Sequence, residues 1–273
     1  LPLATKTSQM GSLFFYIKKA SHLGGFFICK YLSTFDVLSC FIVMANYLII
    51  GASSGIGAQI AQDLLASGHQ VWGSYRNHPI TDQRIQSFHF DSSDTLSKLP
   101  NELPETLDGF VYCVGSIQLT PISRVNTSTL SLDIQSQLIK LVEILQHIFP
   151  KLKKSSHASV VLFSSVAVQL GLPFHSQVGI VKGAIEGLSK SLAAEWAPSI
   201  RVNTIAPSLT HTPLAEPLLN TPEKKLANDQ RHPLKRIGTV GDISNMACFL
   251  LSEKSSWITA QVLHVDGGMQ AIK

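Results

Sequence analysis

Residues 47–57 read Tyr47-Leu-Ile-Ile-Gly51-Ala-Ser53-Ser54-Gly55-Ile56-Gly57. Four apolar residues run into a turn with three glycines, and the next stretch places Ile60, Ala61, Leu64 and Leu65 on one helical face. Strand, glycine turn and helix in that order make a glycine motif a nucleotide-binding signal. Glycine permits the sharp turn and the close approach of a pyrophosphate. The helix start then offers unpaired N–H groups and the positive end of its dipole. The spacing is Gly-x-x-x-Gly-x-Gly, which differs from the Gly-x-Gly-x-x-Gly of the commonest dinucleotide fingerprint. No Gly-Lys-Ser/Thr follows, so the turn is not a P-loop.

Working outward, short apolar runs alternate with helical segments from Asn46 to the end, the pattern of a parallel sheet with crossover helices. It predicts strands at Tyr47–Ile50, Val71–Tyr75, Gln86–Phe90, Gly109–Cys113, Ser159–Phe163, Arg201–Ile205 and Val262–Val265. Helices are predicted at Gly55–Ala66, Leu132–Lys153, Gln177–Trp196 and Asp242–Leu251. The expected fold is α/β: one domain with a doubly wound, Rossmann-like, seven-stranded parallel sheet. The chain of 273 residues, 45% apolar and 15% charged, is ample for such a core. A net charge of +4 from scattered Lys and Arg forms no basic stripe and argues against nucleic acid. Cys29, Cys40, Cys113 and Cys248 lack metal-ligand or redox-motif spacing and read as small hydrophobes in a reducing compartment.

Residues 1–43 stand apart. They carry apolar patches such as Phe14-Phe15-Tyr16-Ile17, and Lys6, Lys18, Lys19 and Lys30 precede the first acidic residue, Asp36. That composition has a targeting flavour, but no apolar run reaches the ~18 residues of a membrane span. An ill-ordered or artefactual extension is expected, with organellar targeting as the other reading and a domain beginning at Met44. A cytoplasmic location is expected.

From about Met44 onward, the chain resembles the short-chain dehydrogenase/reductase family, through the glycine spacing and further motifs. Arg201-Val-Asn-Thr-Ile-Ala-Pro207-Ser208-Leu-Thr-His-Thr212 is similar to that family's Pro-Gly loop, with Ser208 in place of the glycine. The tail Gly238…Asp242-Ile243…Phe249-Leu250…Val265-Asp266-Gly267-Gly268 also matches. The resemblance implies a nicotinamide dinucleotide, with Gly51, Ser53, Ser54, Gly55, Ile56 and Gly57 around its pyrophosphate. Gly115 would approach it closely, and Thr212 would hold its carboxamide or pyrophosphate. Asp91 falls where the family contacts adenine, and it reads equally well as a helix cap. Tyr75 occupies the usual acidic position at the end of the second strand, and Arg76 follows. An arginine there pairs with a 2′-phosphate, so NADP(H) is expected over NAD(H).

The family's reaction is hydride transfer between the nicotinamide and a carbonyl or alcohol, a small-molecule partner. Ser165 matches its catalytic serine and Lys182 its lysine. The tyrosine position, four residues before Lys182, holds Val178, and the supporting asparagine position falls on Gln137. A close ammonium would ordinarily lower that tyrosine's pKa from ~10. His175, seven residues before Lys182, is a replacement proton donor if the helix starts early enough to carry it. The other reading is a non-catalytic dinucleotide-binding protein. The resemblance also implies a homodimer or homotetramer pairing through the helices around 132–153 and 177–196. Leu138, Leu141, Val142 and Leu145 are equally able to face a partner or the sheet. A chain starting at Met44 is expected to unfold at the same temperature and bind dinucleotide as tightly as the longer one. Loss of either property would show that residues 1–43 contribute.

Overall fold

The computed structural model describes residues 44–272, so the readings on residues 1–43, Cys29 and Cys40 included, lie outside the described residues. Seven parallel strands form one sheet: β1 (Asn46–Ile50), β2 (Gln70–Tyr75), β3 (Gln86–His89), β4 (Gly109–Tyr112), β5 (Ala158–Phe163), β6 (Ile200–Pro207) and β7 (Val262–Val265). Their order is β3-β2-β1-β4-β5-β6-β7. Every adjacent pair is parallel. The chain reverses its direction of strand addition between β1 and β4. In open α/β sheets ligands bind outside the carboxyl ends of the strands at such a point.

Strand side chains alternate between two cores because successive residues point to opposite faces. Leu48, Ile50, Phe110, Tyr112, Val160 and Leu162 face one layer. Tyr47, Ile49, Val111, Val161 and Phe163 face the other. Helices α1 (Gly55–Ala66) and α2 (Thr127–Ile134) begin the two layers. A π-helical turn at Gln135–Ile139 joins α2 to α3 (Lys140–Leu152). Beyond the short α4 (Ala167–Leu170) come α5 (Ser176–Trp196), α6 (Glu216–Leu219), α7 (Pro222–Arg231) and α8 (Val240–Leu251). Ile60 and Leu64 of α1 and Ile243 and Leu250 of α8 cover one face. Ile144 and Ile148 of α3 and Val181 and Ile185 of α5 cover the other. Ser244 donates to Asp63 across the first pair, joining α8 to α1.

The seven strands and four long helices fall where the hydrophobic pattern put them. The segment predicted as one helix over 132–153 starts earlier and contains the π turn. Helix α7 was not foreseen, because its residues Pro222-Glu-Lys-Lys-Leu-Ala-Asn-Asp-Gln-Arg231 are nearly all polar and none is buried. Thr221 caps it by accepting from Lys224 N. Leu141 and Leu145 are fully buried against the sheet, and Leu138 packs beside them. These residues therefore serve the core, and the outward residues of this layer are Leu132, Ile139 and Ile180. No described helix is long and apolar enough to cross a membrane.

Leu162 lies on the interior strand β5 with no exposed surface. Leu162→Ala is expected to cost about 2–5 kcal/mol through lost burial and a residual cavity. A lower urea midpoint at unchanged slope checks this.

Candidate active site

The glycine turn is held by sterics and by the neighbouring strand. Gly51 has φ +88°, a conformation that strains a side chain. A Cβ on Gly57 would stand 2.1 Å from the Gly51 carbonyl oxygen, so the first turn of α1 closes only around glycine. Gly51 N donates to Ser74 Oγ at 2.9 Å, and Ala52 N donates to Ser74 O at 2.8 Å. Ser54 occupies the N-cap position without a side-chain capping bond, leaving the first N–H groups of α1 for a ligand. A cleft of about 760 Å³ opens here, lined by Ser54, Gly55, Ile56 and Gly57. It extends past Gly115, Ser165, Val178 and Lys182 to the loop after β6.

At the end of β2, Arg76 lines the cleft with its side chain 65% exposed. Its Nε lies 3.7 Å from Asp91 Oδ2, a loose pair that leaves the guanidinium open to solvent. Asp91 is not among the cleft-lining residues. Its Oδ1 accepts from Ser93 N and Ser93 Oγ, both at 2.9 Å, organising the turn after β3. Burial pushes its carboxyl up, but the Ser93 bonds and Arg76 outweigh this and hold it below its ordinary value. Ser53 also lies outside the cleft lining. Thr212 lines the cleft, caps the turn that follows it, and sits 3.5 Å from where a Cβ on Gly55 would be.

On the reacting side, Ser165 follows β5 and accepts from Ala167 N through its Oγ at 3.2 Å. That bond leaves its hydroxyl hydrogen able to donate. Behind it, Ser164 is anchored to the buried Glu186 at 2.6 Å. Lys182 is buried on α5, and both its Nζ and Gln137 Oε1 lie within 4 Å of where a Cβ on Gly115 would stand. The absence of a side chain at Gly115 thus keeps open the space between them. Gln137 occupies the π turn, a local widening found frequently at functional sites. The Tyr112 hydroxyl donates to Ser136 O at 2.5 Å and secures that turn. Gln137 Nε2 donates to Ser116 Oγ at 3.0 Å, and Ser116 Oγ donates to Asp133 Oδ1 at 2.7 Å. Gln177 completes the cluster by donating to Asp133 Oδ2. Gln137 Oε1 is buried with no partner among the described residues. A buried acceptor of this kind calls for a donor from a ligand or water.

Burial depresses the Lys182 pKa to about 8, with Cys113 and Asp133 pulling partly the other way. Burial pushes the Cys113 thiol up to about 12, so it stays a neutral wall of the site. Val178 lines the cleft one turn before Lys182. His175 is the N-cap of α5, so the helix begins one residue too late to carry it. It still lines the cleft, with Nδ1 2.7 Å from Pro173 O.

A family model described as enoyl-(acyl carrier protein) reductase matches residues 51–270. The chain belongs to the short-chain dehydrogenase/reductase family. A tropinone reductase homologue of Arabidopsis thaliana is 32% identical over 241 residues, covering 82% of this chain and 92% of that protein. Among solved structures, a short-chain dehydrogenase/reductase from Mycobacterium ulcerans has a TM-score of 0.72 at 27% identity, covering 83% of this chain and 90% of that one. The ligand-free aldohexose dehydrogenase of Thermoplasma acidophilum has a TM-score of 0.78 at 25% identity, covering 84% and 95%.

Short-chain dehydrogenases/reductases are oxidoreductases that bind nicotinamide cofactors and act on CH–OH and C=O groups of small molecules. The donor set fits such a group. An uncapped helix start, side-chain-free surfaces at Gly55 and Gly115, and an unpartnered Gln137 oxygen all face one cleft or its buried wall. Three residues of this surface escaped the sequence reading: Ser116, Asp133 and His232. Ser116 and His232 line the cleft, and Asp133 holds Ser116 and Gln177. Asp133 lies in a helix of ordinary amphipathic pattern, and only the π turn after it brings Gln137 into the same cluster.

Lys182→Met tests the cost of the buried ammonium. In the folded protein Lys182 binds its proton below about pH 8, whereas the unfolded chain holds it to pH 10.5. The unfolded state therefore binds more protons between these values, and the Lys182 contribution to stability rises with pH across that window. Lys182→Met is expected to raise the melting temperature of the ligand-free protein at pH 7. The advantage should narrow between pH 8 and 10.5. A constant difference across this range would contradict the assignment.

Proposed function

We propose that this chain is an NADP(H)-dependent oxidoreductase interconverting carbonyl and alcohol groups, with a proton donor other than the tyrosine customary in its family. The observation that carries the reading is the single cleft joining an uncapped helix start, Arg76, Ser165 and Lys182. When bound, the nicotinamide supplies or accepts hydride. The N–H groups at the start of α1, with Ser54, are assigned to the pyrophosphate. Arg76 is assigned to the 2′-phosphate. Its looseness toward Asp91 supports this, because a guanidinium held at 3.7 Å by one carboxylate keeps donors free for a stronger bidentate acceptor. Lys182 and Thr212 are assigned to the ribose and carboxamide side.

Ser165 would then orient the reacting oxygen by donating its free hydroxyl hydrogen. Val178 offers neither donor nor acceptor, so it shapes an apolar wall and proton transfer falls to another group. Gln137 Oε1 and Lys182 Nζ, both turned toward the space at Gly115, are placed to hold a water between them. Leu209, Leu214 and Leu218 line the far side of the cleft and suit a substrate with an apolar body. A homodimer or homotetramer is the expected assembly, consistent with a family that is often oligomeric and with the outward apolar residues Leu132, Ile139 and Ile180.

Purified protein is expected to oxidise NADPH with members of a ketone and aldehyde panel. Saturable NADPH binding without turnover on any of them would favour a binding protein instead. Arg76→Ala is expected to weaken NADPH about 10- to 100-fold, the worth of a charge-assisted contact, and to leave NADH within about twofold. Fluorescence titration reads both. Equal affinity of the unsubstituted protein for the two cofactors would remove the 2′-phosphate role.

A further inference from the structure

The substrate half of the cleft contains a second built group. His232 follows α7 and is 2% exposed. Its Nδ1 lies 2.7 Å from the Asn228 carbonyl oxygen, and its Nε2 lies 2.8 Å from Ser208 Oγ. A carbonyl accepts only, so Nδ1 carries a hydrogen. In the neutral imidazole Nε2 is then the acceptor, and Ser208 donates to it. A hydroxyl on a base that is itself oriented by a third group is the arrangement that moves protons in many hydrolytic and transfer sites. Ser208, His232, Asn228 and the neighbouring Met269 all line the cleft.

The topology sets this pair beside the reacting side chains. In the pairing of β5 with β6, Phe163 lies opposite Ile205. Beyond it, Val166 N donates to Pro207 O at 3.1 Å. Ser208 thus comes level with Val166, one residue beyond Ser165, on the adjacent parallel strand, and neighbouring strands run ~4.8 Å apart. The nearby carboxylates are occupied elsewhere. Asp229 Oδ1 accepts from Ile237 N, and Asp266 accepts from Gly268 N and Gln270 N. The flanking Arg231 and Lys235 are exposed, and Lys235 Nζ donates to Gln230 O. The hydrogen-bond partners of the imidazole among the described residues are Ser208 and Asn228.

Resting on the oxidoreductase reading above, we propose that Ser208 is the proton donor to the reacting oxygen and that His232 is the positioning residue that recharges it. In carbonyl reduction hydride reaches the carbonyl carbon and the C=O π pair moves onto oxygen. That oxygen takes the Ser208 hydroxyl proton while Oγ takes the proton from Nε2 of the imidazolium. Neutral imidazole remains, its Nδ1–H still on the Asn228 carbonyl, and solvent in the cleft returns a proton to Nε2. Alcohol oxidation runs the same transfers backwards. Met269 Sδ, 3.1 Å from Ser208 Oγ, is a weak acceptor that cannot hold the hydroxyl hydrogen away from an alkoxide. His175 is less suited, because its Nδ1 is held on Pro173 O and no hydroxyl among the described residues is bonded to its ring.

The test compares the full chain with Ser208→Ala, Ser208→Gly, Ser208→Thr and His232→Asn, using NADPH and the best carbonyl of the panel. Ser208→Ala and Ser208→Gly are expected to lower kcat about 100-fold or more, within the usual range for general acid catalysis, with KM and dinucleotide affinity within about threefold. Ser208→Thr should recover most of the rate. His232→Asn should lower kcat in the unsubstituted chain and cost nothing further in the Ser208→Ala chain, as expected of a residue that acts through Ser208. Independently of turnover, nitrogen NMR of the ligand-free protein should show neutral His232 as the Nδ1–H tautomer. An Nε2–H tautomer, or a kcat that survives Ser208→Ala and Ser208→Gly, overturns the proposal. Absence of turnover by the unsubstituted chain on every carbonyl would sink the oxidoreductase reading first and proton delivery with it. Turnover that survives loss of the Ser208 hydroxyl removes this proposal alone.

Discussion

The approach of Gly57 to the Gly51 carbonyl governs the molecule. A Cβ at residue 57 would sit 2.1 Å from that oxygen, inside any tolerable contact. Because no Cβ is there, β1 passes directly into α1 and the helix starts over the carboxyl edge of the sheet. Ser74 of β2 braces the turn from the side. An uncapped helix start is ordinarily a defect, since its N–H groups lack partners. Here the defect opens onto the cleft, and we assign it to the pyrophosphate of the proposed dinucleotide.

The parallel sheet carries this local device across the protein. Every strand delivers its carboxyl end to the same edge, so residues distant in sequence meet without any special loop. Gly57, Gly115, Ser165 and Ser208 follow β1, β4, β5 and β6 and line one cleft. The two apolar layers hold these ends at a fixed spacing, because the strands are buried on both faces and leave little room to slide.

Polarity inside this frame is unevenly satisfied, and the gaps have chemical content. Asp133, Ser116, Gln137 and Gln177 form a connected cluster with one acceptor, Gln137 Oε1, left over. Lys182 is kept in a setting that disfavours its own charge. Burying an ammonium in this way weakens the folded protein, and such a cost is usual where a side chain serves a ligand rather than the fold. Val178, one turn away, adds no polar group to help it.

The strands, the long helices and the glycine turn were legible in the sequence because they are set by local physics: alternation, helical period and the absence of a Cβ. The resemblance through Ser165, Lys182 and Pro207 was legible for the same reason, since those residues lie in contiguous motifs. Helix α7 was not, because its ten residues bury nothing and show no hydrophobic period. The π turn was also hidden, as one extra residue per turn leaves no compositional mark, yet it turns Gln137 toward Lys182. Ser208 read as a mild departure from a glycine, and His232 had no motif to mark it. Only the tertiary structure set them 2.8 Å apart. Sequence determines what each segment prefers to be. Packing decides which polar atoms end without water and therefore with one another.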